Sequence, residues 1–179
     1  MLKHPHLLAG FTIIEVLIAV MVIGILIALG APTFGEWLQS QQLRAAADAT
    51  LNGLQLARAE AIRKNGLVQI VFAPPKSGWT VLDGATVVQT RNSEEGSANA
   101  VVTVTPAGAT TVTFTPLGSV TTNPDGSGTV QRLDITNPGG GACQPAGAMR
   151  CLRVVVTAGG TVRMCDPTPG VVAPDPRAC

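Results

Sequence analysis

The stretch Gly10-Phe11-Thr12-Ile13-Ile14-Glu15-Val16-Leu17 opens a long apolar run in this chain of 179 residues. The run continues to Ala31, and Glu15 is its one charged side chain. As a helix with a rise of ~1.5 Å per residue, residues 11–31 would span roughly 31 Å, about the thickness of a bilayer's hydrocarbon core. Lys3 makes residues 1–10 mildly basic. The pattern therefore predicts a transmembrane helix with residues 1–10 in the cytoplasm and the remainder outside.

A secretory signal peptide, cleaved near Ala28–Ala31, is the alternative interpretation of this run. The apolar part of a signal peptide is typically ~7–15 residues long, and residues 16–31 alone exceed that length. A carboxylate inside an apolar helix also costs roughly 2.5–3.5 kcal/mol on insertion scales. Because a disposable peptide gains nothing from that cost, Glu15 predicts a functional carboxylate with a partner.

Residues 10–17 resemble the cleavage signature of type IV prepilins and type II secretion pseudopilins. The resemblance implies that residues 1–10 are a leader peptide, removed by a prepilin peptidase that cleaves between Gly10 and Phe11. It also implies N-methylation of Phe11 and an assembly role for Glu15, whose carboxylate would pair with the N-terminal amine of a neighbouring subunit. Pairing makes both buried charges tolerable.

A second helical segment, residues 32–65, follows the apolar run. Pro32 is expected to end or kink the first helix. The later segment has an apolar stripe at three- and four-residue steps, which predicts an amphipathic helix docked on the domain that follows. Its members are Leu43, Ala47, Leu51 (or Thr50), Leu54, Ala57 and Ala61. Asn65-Gly66 is a plausible C-cap, and a continuous helix would run from about residue 12 to residue 64.

From Leu67 onward the pattern changes to short stretches rich in Val and Thr, separated by turn residues. This pattern predicts an α+β fold in which residues 66–179 form a β-rich head of two antiparallel sheets. The candidate strands are 67–73, 78–82, 85–91, 100–105, 110–115, 128–135, 151–157 and 160–164.

Three stretches of this region resemble the GspH/FimT branch of minor pilins and pseudopilins. They are the helix end Leu56–Asn65, the strand opening Gly78-Trp79, and the late strand pair Leu152–Thr157 and Thr161–Cys165. The resemblance implies a pilin-like lollipop, in which a long N-terminal helix carries the globular head.

Four cysteines lie on the predicted periplasmic side, where disulfides are favoured. Three connectivities are open to them. The expected pairing is Cys143–Cys151, which would close a loop rich in Gly and Pro, and Cys165–Cys179, which would hold the C-terminal tail. A zinc site is the alternative. It is disfavoured because no Cys-x-x-Cys spacing occurs.

An enzymatic site is hard to assemble from these residues. Both histidines, His4 and His6, lie in the leader, and the chain has no Tyr, so the usual general bases are missing. The adjacent Glu94 and Glu95 lie in a polar loop and are interpreted as solvated charges. We therefore expect no enzyme activity, no cofactor and no metal site.

DNA binding is an open alternative for the C-terminal third of the chain. Its arginines are Arg150, Arg153, Arg163 and Arg177, and arginines can contact the phosphates of double-stranded DNA. FimT-like proteins for DNA uptake carry Gly-Arg-x-Arg on their last hairpin. Here the stretch is Gly160-Thr161-Val162-Arg163, so half of that motif is present.

The hypothesis that best fits the sequence is a minor pilin or minor pseudopilin. Such a subunit would be incorporated into a type IV pilus or a type II secretion pseudopilus, in the filament or at its tip. Its partners would be other pilins, the prepilin peptidase, the inner-membrane assembly platform and, before assembly, inner-membrane lipid. The head would be periplasmic before assembly. A membrane-anchored domain that is not processed after Gly10 is a further alternative.

Overall fold

The computed structural model describes residues 11–179, except for the side chains of residues 30–33. The described chain divides into two compact units, one ending at Glu36 and the other formed by Trp37–Cys179. One long helix, α1, covers Ile13–Lys64 and so contributes to both units. It agrees with the helix predicted from about residue 12 to residue 64.

The second unit contains two antiparallel sheets. The first has the strand order β3-β2-β1-β5-β6 and the second has the order β4-β7-β8-β9. The α+β prediction with two antiparallel sheets is therefore confirmed. The strands are β1 Val68–Phe72, β2 Trp79–Asp83, β3 Thr86–Arg91, β4 Val101–Thr105, β5 Thr111–Phe114, β6 Val120–Thr121, β7 Arg132–Thr136, β8 Leu152–Val156 and β9 Val162–Cys165.

The core of this unit lies between α1 and the two sheets. Alternation along the strands follows the period of two that a sheet with one buried face requires, as in the alternately buried residues of β1 and β7. One hydrophobic cluster joins the three layers. It includes Leu43, Leu54 and Ala57 from α1, Ile70, Val81 and Phe114 from the first sheet, and Leu133, Ile135 and Val154 from the second.

The helix approaches the first sheet closely at Gly53. A Cβ added there would lie 2.7 Å from Cε2 of Trp79 and 3.0 Å from Cδ1 of Ile70. Glycine in a helix interior usually costs stability, and here the missing side chain provides the space that the indole occupies.

Two strand predictions differ from the structure. The two-residue strand β6 was not predicted, and the predicted strand 128–135 begins only at Arg132. The stretch before Arg132 passes from one sheet to the other. Val130 donates its backbone N–H to the carbonyl of Thr111 in β5 of the first sheet, and Gln131 donates to the carbonyl of Thr105 in β4 of the second.

Candidate functional site

The N-terminal end of α1 is organised by Thr12. Its Oγ1 accepts a hydrogen bond from the backbone N–H of Glu15 at 3.2 Å. Its carbonyl oxygen accepts from the N–H groups of Glu15 and Val16 at 3.1 and 3.2 Å. This is the arrangement of an N-cap, with Ile13 as the first helical residue. Glu15 consequently lies in the first turn, where a carboxylate interacts favourably with the helix dipole.

The helix beyond this cap is apolar on every side. Its large apolar side chains from Phe11 to Leu29 are all exposed, from 49% at Val22 to 83% at Ile13. A contiguous apolar surface of this kind marks a contact with lipid or with other protein. Among the described residues, no single helix meets the length and hydropathy limits for crossing a membrane, whereas Ile13–Leu29 and Phe34–Lys64 meet them when taken as a bent pair.

Three sequence predictions concern this part of the chain. Gly10, the residue before the expected cleavage point, lies outside the described residues together with the rest of the expected leader. Phe11, the expected N-terminal residue after cleavage, is 81% exposed. Pro32 lies within the bounds of α1, and since its side chain is not described, the predicted kink stays a prediction.

The four cysteines form two disulfides, Cys143–Cys151 and Cys165–Cys179, with Cα–Cα distances of 5.5 and 5.1 Å. These are the pairs that we expected from the sequence. The second disulfide holds the C-terminal tail beside the edge strand β9. The N–H of Asp166 donates to the carbonyl of Arg177 at 2.7 Å, and Arg163 donates to the carbonyl of Cys179 at 2.7 Å. The tail is therefore held at the residue that follows β9 and at the side chain of Arg163.

The arginines considered for DNA binding already have partners. Arg153 donates from Nε to Asp134 at 2.6 Å, and Arg150 forms an ion pair with the buried Asp166 at 3.5 Å. Arg177 pairs with Asp175 at 2.7 Å, which lowers the pKa of that carboxyl to about 2. A phosphate would have to compete with these carboxylates.

Two of these arginines, Arg150 and Arg177, meet Arg44 of α1 around an open cavity of about 400 Å³. Asp48 and Asp166 also line this cavity. The acidic side chains offset the arginines, so the cavity is not a strongly basic surface. This cavity therefore gives no support to DNA binding.

Within residues 11–179, no group of three His, Cys, Asp or Glu side chains is placed to hold a metal ion. Glu94 and Glu95 are exposed. Oε1 of Glu95 accepts a hydrogen bond from the N–H of Asn92 at 3.2 Å. The Glu95 carboxylate therefore belongs to the structure of its own loop.

The sequence interpretation missed the role of Thr12. A signal for it is present, since Thr12-Ile13-Ile14-Glu15 has the Thr-x-x-Glu spacing of a capping box immediately before an apolar run. The same four residues belong to the cleavage signature, in which Gly10, Phe11 and Glu15 are the residues with an expected role.

Comparisons with known proteins agree with this architecture. The family model described as "Type II transport protein GspH" matches residues 46–160. The type IV narrow pilus major component PilA5 of Thermus thermophilus is 38% identical over 94 residues, covering 51% of this chain and 78% of PilA5.

Two solved structures are similar to this chain. The type IV minor pilin FimU of Pseudomonas aeruginosa has a TM-score of 0.50 at 17% identity, covering 70% of this chain and 92% of FimU. Escherichia coli GspH has a TM-score of 0.44 at 15% identity, covering 71% of this chain and 89% of its own. The family match extends over more than half of the sequence, and FimU has the same fold. The chain belongs to the GspH family of pilin-like proteins.

Proposed function

We propose that this chain is a minor structural subunit of a type IV pilus or a type II secretion pseudopilus. The observation that carries the proposal is the first half of α1, whose large apolar side chains from Phe11 to Leu29 are all exposed. A helix that is apolar all round requires apolar surroundings on every side. A bilayer supplies them before assembly, and the helices of neighbouring subunits supply them in a filament.

Maturation in this proposal begins with a prepilin peptidase, which removes residues 1–10 at the inner membrane. The new amine of Phe11 is then methylated and remains positively charged. Phe11 precedes the first turn of α1 and Glu15 lies within that turn, so both charges belong to the same end of the helix. When this end leaves the lipid headgroup region, the carboxylate of one subunit and the amine of the next compensate each other.

Assembly then exchanges lipid contacts for contacts between helices, with the inner-membrane assembly platform as the site of exchange. The β-rich unit remains in the periplasm or, in a pilus, reaches the cell surface. The partners are other pilin-like subunits. Among the similar proteins, FimU is a minor pilin and PilA5 is a major component. The number of copies of this chain per filament, counted by quantitative mass spectrometry, distinguishes a minor from a major role.

The test is Glu15→Gln in the full chain, expressed with its neighbouring subunits. A Gln at this position preserves the capping-box pattern, since both Glu and Gln serve at the third helical residue, but it removes the charge. We expect incorporation into the sheared or purified filament fraction to fall at least tenfold, because breaking a buried ion pair costs about 3–5 kcal/mol.

Glu15→Asp is the matched control, since it keeps the charge on a shorter side chain and should retain part of the incorporation. The ratio of filament-bound to membrane-bound subunit, measured by immunoblot, gives the result. Incorporation of Glu15→Gln at the wild-type level would contradict the proposed pairing.

A further inference from the structure

We propose that the turn between β5 and β6 is an assembly contact. In this contact Leu117 inserts into an apolar depression on the β-rich unit of a neighbouring pilin-like subunit. The inference rests on the proposed function, because it adds a second contact to the same filament subunit. It concerns the β-rich unit and not the apolar half of α1, so the two contacts can be tested separately.

Leu117 lies in solvent at the tip of this turn. It is 88% exposed, the highest value among the large apolar side chains that the structure describes. The next residue, Gly118, is buried. An exposed leucine is by itself ordinary in a folded protein. Leu117 differs because the residues on both sides of it are held firmly in place.

Hydrogen bonds within the turn close it around Leu117. The N–H of Gly118 donates to the carbonyl of Thr115 at 2.8 Å, and the N–H of Thr115 donates to the carbonyl of Ser119 at 2.8 Å. The hydroxyls of Thr115 and Ser119 lie 2.8 Å apart and form a further hydrogen bond. None of these bonds uses the side chain of Leu117, which is therefore presented outward by a turn that is stable without it.

The turn is also attached to α1 and to the second sheet. Arg58 of α1 donates from Nε to the carbonyl of Gly118 at 3.0 Å. The N–H of Val120 donates at 2.9 Å to the carbonyl of Ala158, which lies between β8 and β9. Gly118 has a φ of +75°, and an added Cβ there would lie 2.9 Å from Cδ1 of Ile62. Because the turn is already ordered, binding through Leu117 loses little conformational entropy.

Two other exposed apolar side chains lie at the same end of the β-rich unit. Ile62 is 51% exposed, and its Cδ1 lies beside Gly118. Leu67 is 48% exposed and precedes Val68, which pairs with Phe114 where β5 ends. We call Ile62, Leu67 and Leu117 the turn patch.

The charged side chains at the end of α1 are paired within the chain. Glu60 pairs with Arg63 at 2.6 Å, and Lys64 pairs with Asp83 at 2.6 Å. An apolar centre with polar side chains around it is the usual arrangement of a protein interface. A lipid surface fits less well, because the paired charges would approach the hydrocarbon together with the turn patch. The turn patch therefore favours a protein partner with an apolar surface.

The size of the turn patch indicates which protein partner it fits. A stable interface between freely diffusing proteins uses about 20–30 residues on each side, far more than the turn patch contains. A contact this small holds only between molecules that are already tethered, because tethering raises their effective concentration. In the proposed filament the apolar halves of α1 supply the tether. The partner that fits is a neighbouring subunit of the same filament.

The experiment compares variants of the full chain, expressed with its neighbouring subunits, by the ratio of filament-bound to membrane-bound subunit. Leu117→Asn has a similar shape and removes the apolar character, whereas Leu117→Met keeps it. We expect Leu117→Asn to lower the ratio about 10- to 100-fold, the factor that corresponds to burying one leucine side chain. Leu117→Met should stay close to the wild type.

Val172→Asn is the matched control, because Val172 is 64% exposed and lies in the C-terminal tail. It should incorporate at the wild-type level. An equal loss for Val172→Asn and Leu117→Asn would overturn the inference, since any polar substitution on the surface would then have the same effect. A lower guanidinium midpoint for Leu117→Asn in detergent would also overturn it, because the leucine would then serve its own chain.

Photo-crosslinking identifies the partner directly. With p-benzoylphenylalanine in place of Leu117, purified filaments should give a crosslink to the β-rich unit of a neighbouring subunit, identified by mass spectrometry of the joined peptides. A crosslink only to lipid or within the same chain would overturn the inference.

The same assay separates this inference from the proposed function. If the wild-type chain entered no filament, both would be overturned. If Glu15→Gln lost incorporation and Leu117→Asn kept it, the turn contact alone would be overturned. If Leu117→Asn lost incorporation and Glu15→Gln kept it, the turn contact would stand and the pairing of Glu15 would be overturned.

Discussion

The two halves of α1 have the same secondary structure and opposite surroundings. In Ile13–Leu29 the large apolar side chains are all exposed. In the half that belongs to the second unit, one stripe is buried against the sheets. The stripe consists of Leu43, Ala46, Ala47, Leu54, Ala57 and Ala61, each 0–1% exposed.

The difference between the halves lies in side-chain size and in how apolar residues are distributed around the helix. Alanines let the helix backbone come close to a sheet, as Gly53 does beneath Trp79. Large branched side chains on all sides cannot be covered by a single sheet. The first half is therefore suited to surroundings outside its own chain, and the second half to its own core.

Two leucine-to-alanine variants test most directly whether the two halves of α1 contribute differently to stability. Leu54→Ala, at a position with no exposure, should lower the free energy of unfolding of the β-rich unit by about 2–5 kcal/mol, because it leaves a cavity. Leu26→Ala makes the same chemical change where the side chain is 63% exposed. It should change that free energy by no more than about 0.5 kcal/mol.

Guanidinium unfolding of the full chain in a nonionic detergent measures both variants. If Leu26→Ala destabilised the β-rich unit as much as Leu54→Ala, the two halves of α1 would not be energetically distinct.

Two glycine-to-alanine variants test the same difference between the halves of α1, with a smaller expected effect on stability. Gly53→Ala adds a Cβ 2.7 Å from the Trp79 ring. The overpacking cost of about 1–3 kcal/mol should exceed the gain in helix propensity of about 1 kcal/mol, so we expect a net loss near 1 kcal/mol. Gly24→Ala, where nothing lies within 4 Å of the added carbon, should leave unfolding unchanged and slightly increase helicity by circular dichroism. If Gly53→Ala stabilised the unit, the Trp79 ring would have to move away from the added carbon at little cost.

Most of the fold was predictable because its signals are local. The extent of α1 and the Val- and Thr-rich strands depend on residues that are neighbours in the sequence. Strand order depends on long-range pairing and was not predicted. The same limit applies to β6, whose two residues are too few to show alternation, and whose Val120 donates its N–H to Ala158 in a distant turn.

Site residues could be predicted where a single residue stands out in its local sequence. They could not be predicted where the role depends on a partner that is distant in the sequence. Glu15 stands out as a charge in an apolar run. The interpretation of Arg153 changed because Asp134, its partner at 2.6 Å, is 19 residues away in the sequence and adjacent only after β7 pairs with β8. The space left by Gly53 is likewise filled by Trp79, which is distant in the sequence.

The smallest expected effect distinguishes Glu60 from Glu15, a second glutamate of α1. Arg63 donates from Nε to Oε1 of Glu60 at 3.1 Å and from a terminal nitrogen to Oε2 at 2.6 Å. These bonds hold the pKa of Glu60 below its ordinary value of 4.5. Because the folded pKa is the lower one, the pair contributes stability above about pH 4.5, and the contribution is lost as pH falls through the folded pKa.

Glu60→Gln should therefore lower stability slightly at pH 7 and match the wild type below that folded pKa, since an exposed pair on a helix contributes little. Unfolding measured at pH 7 and at a series of lower pH values follows this difference. Incorporation into filaments should not change, unlike that of Glu15→Gln. If both variants lost incorporation equally, the effect at Glu15 would reflect the loss of any negative charge on α1. The result would contradict the view that only the first half of α1 takes part in assembly.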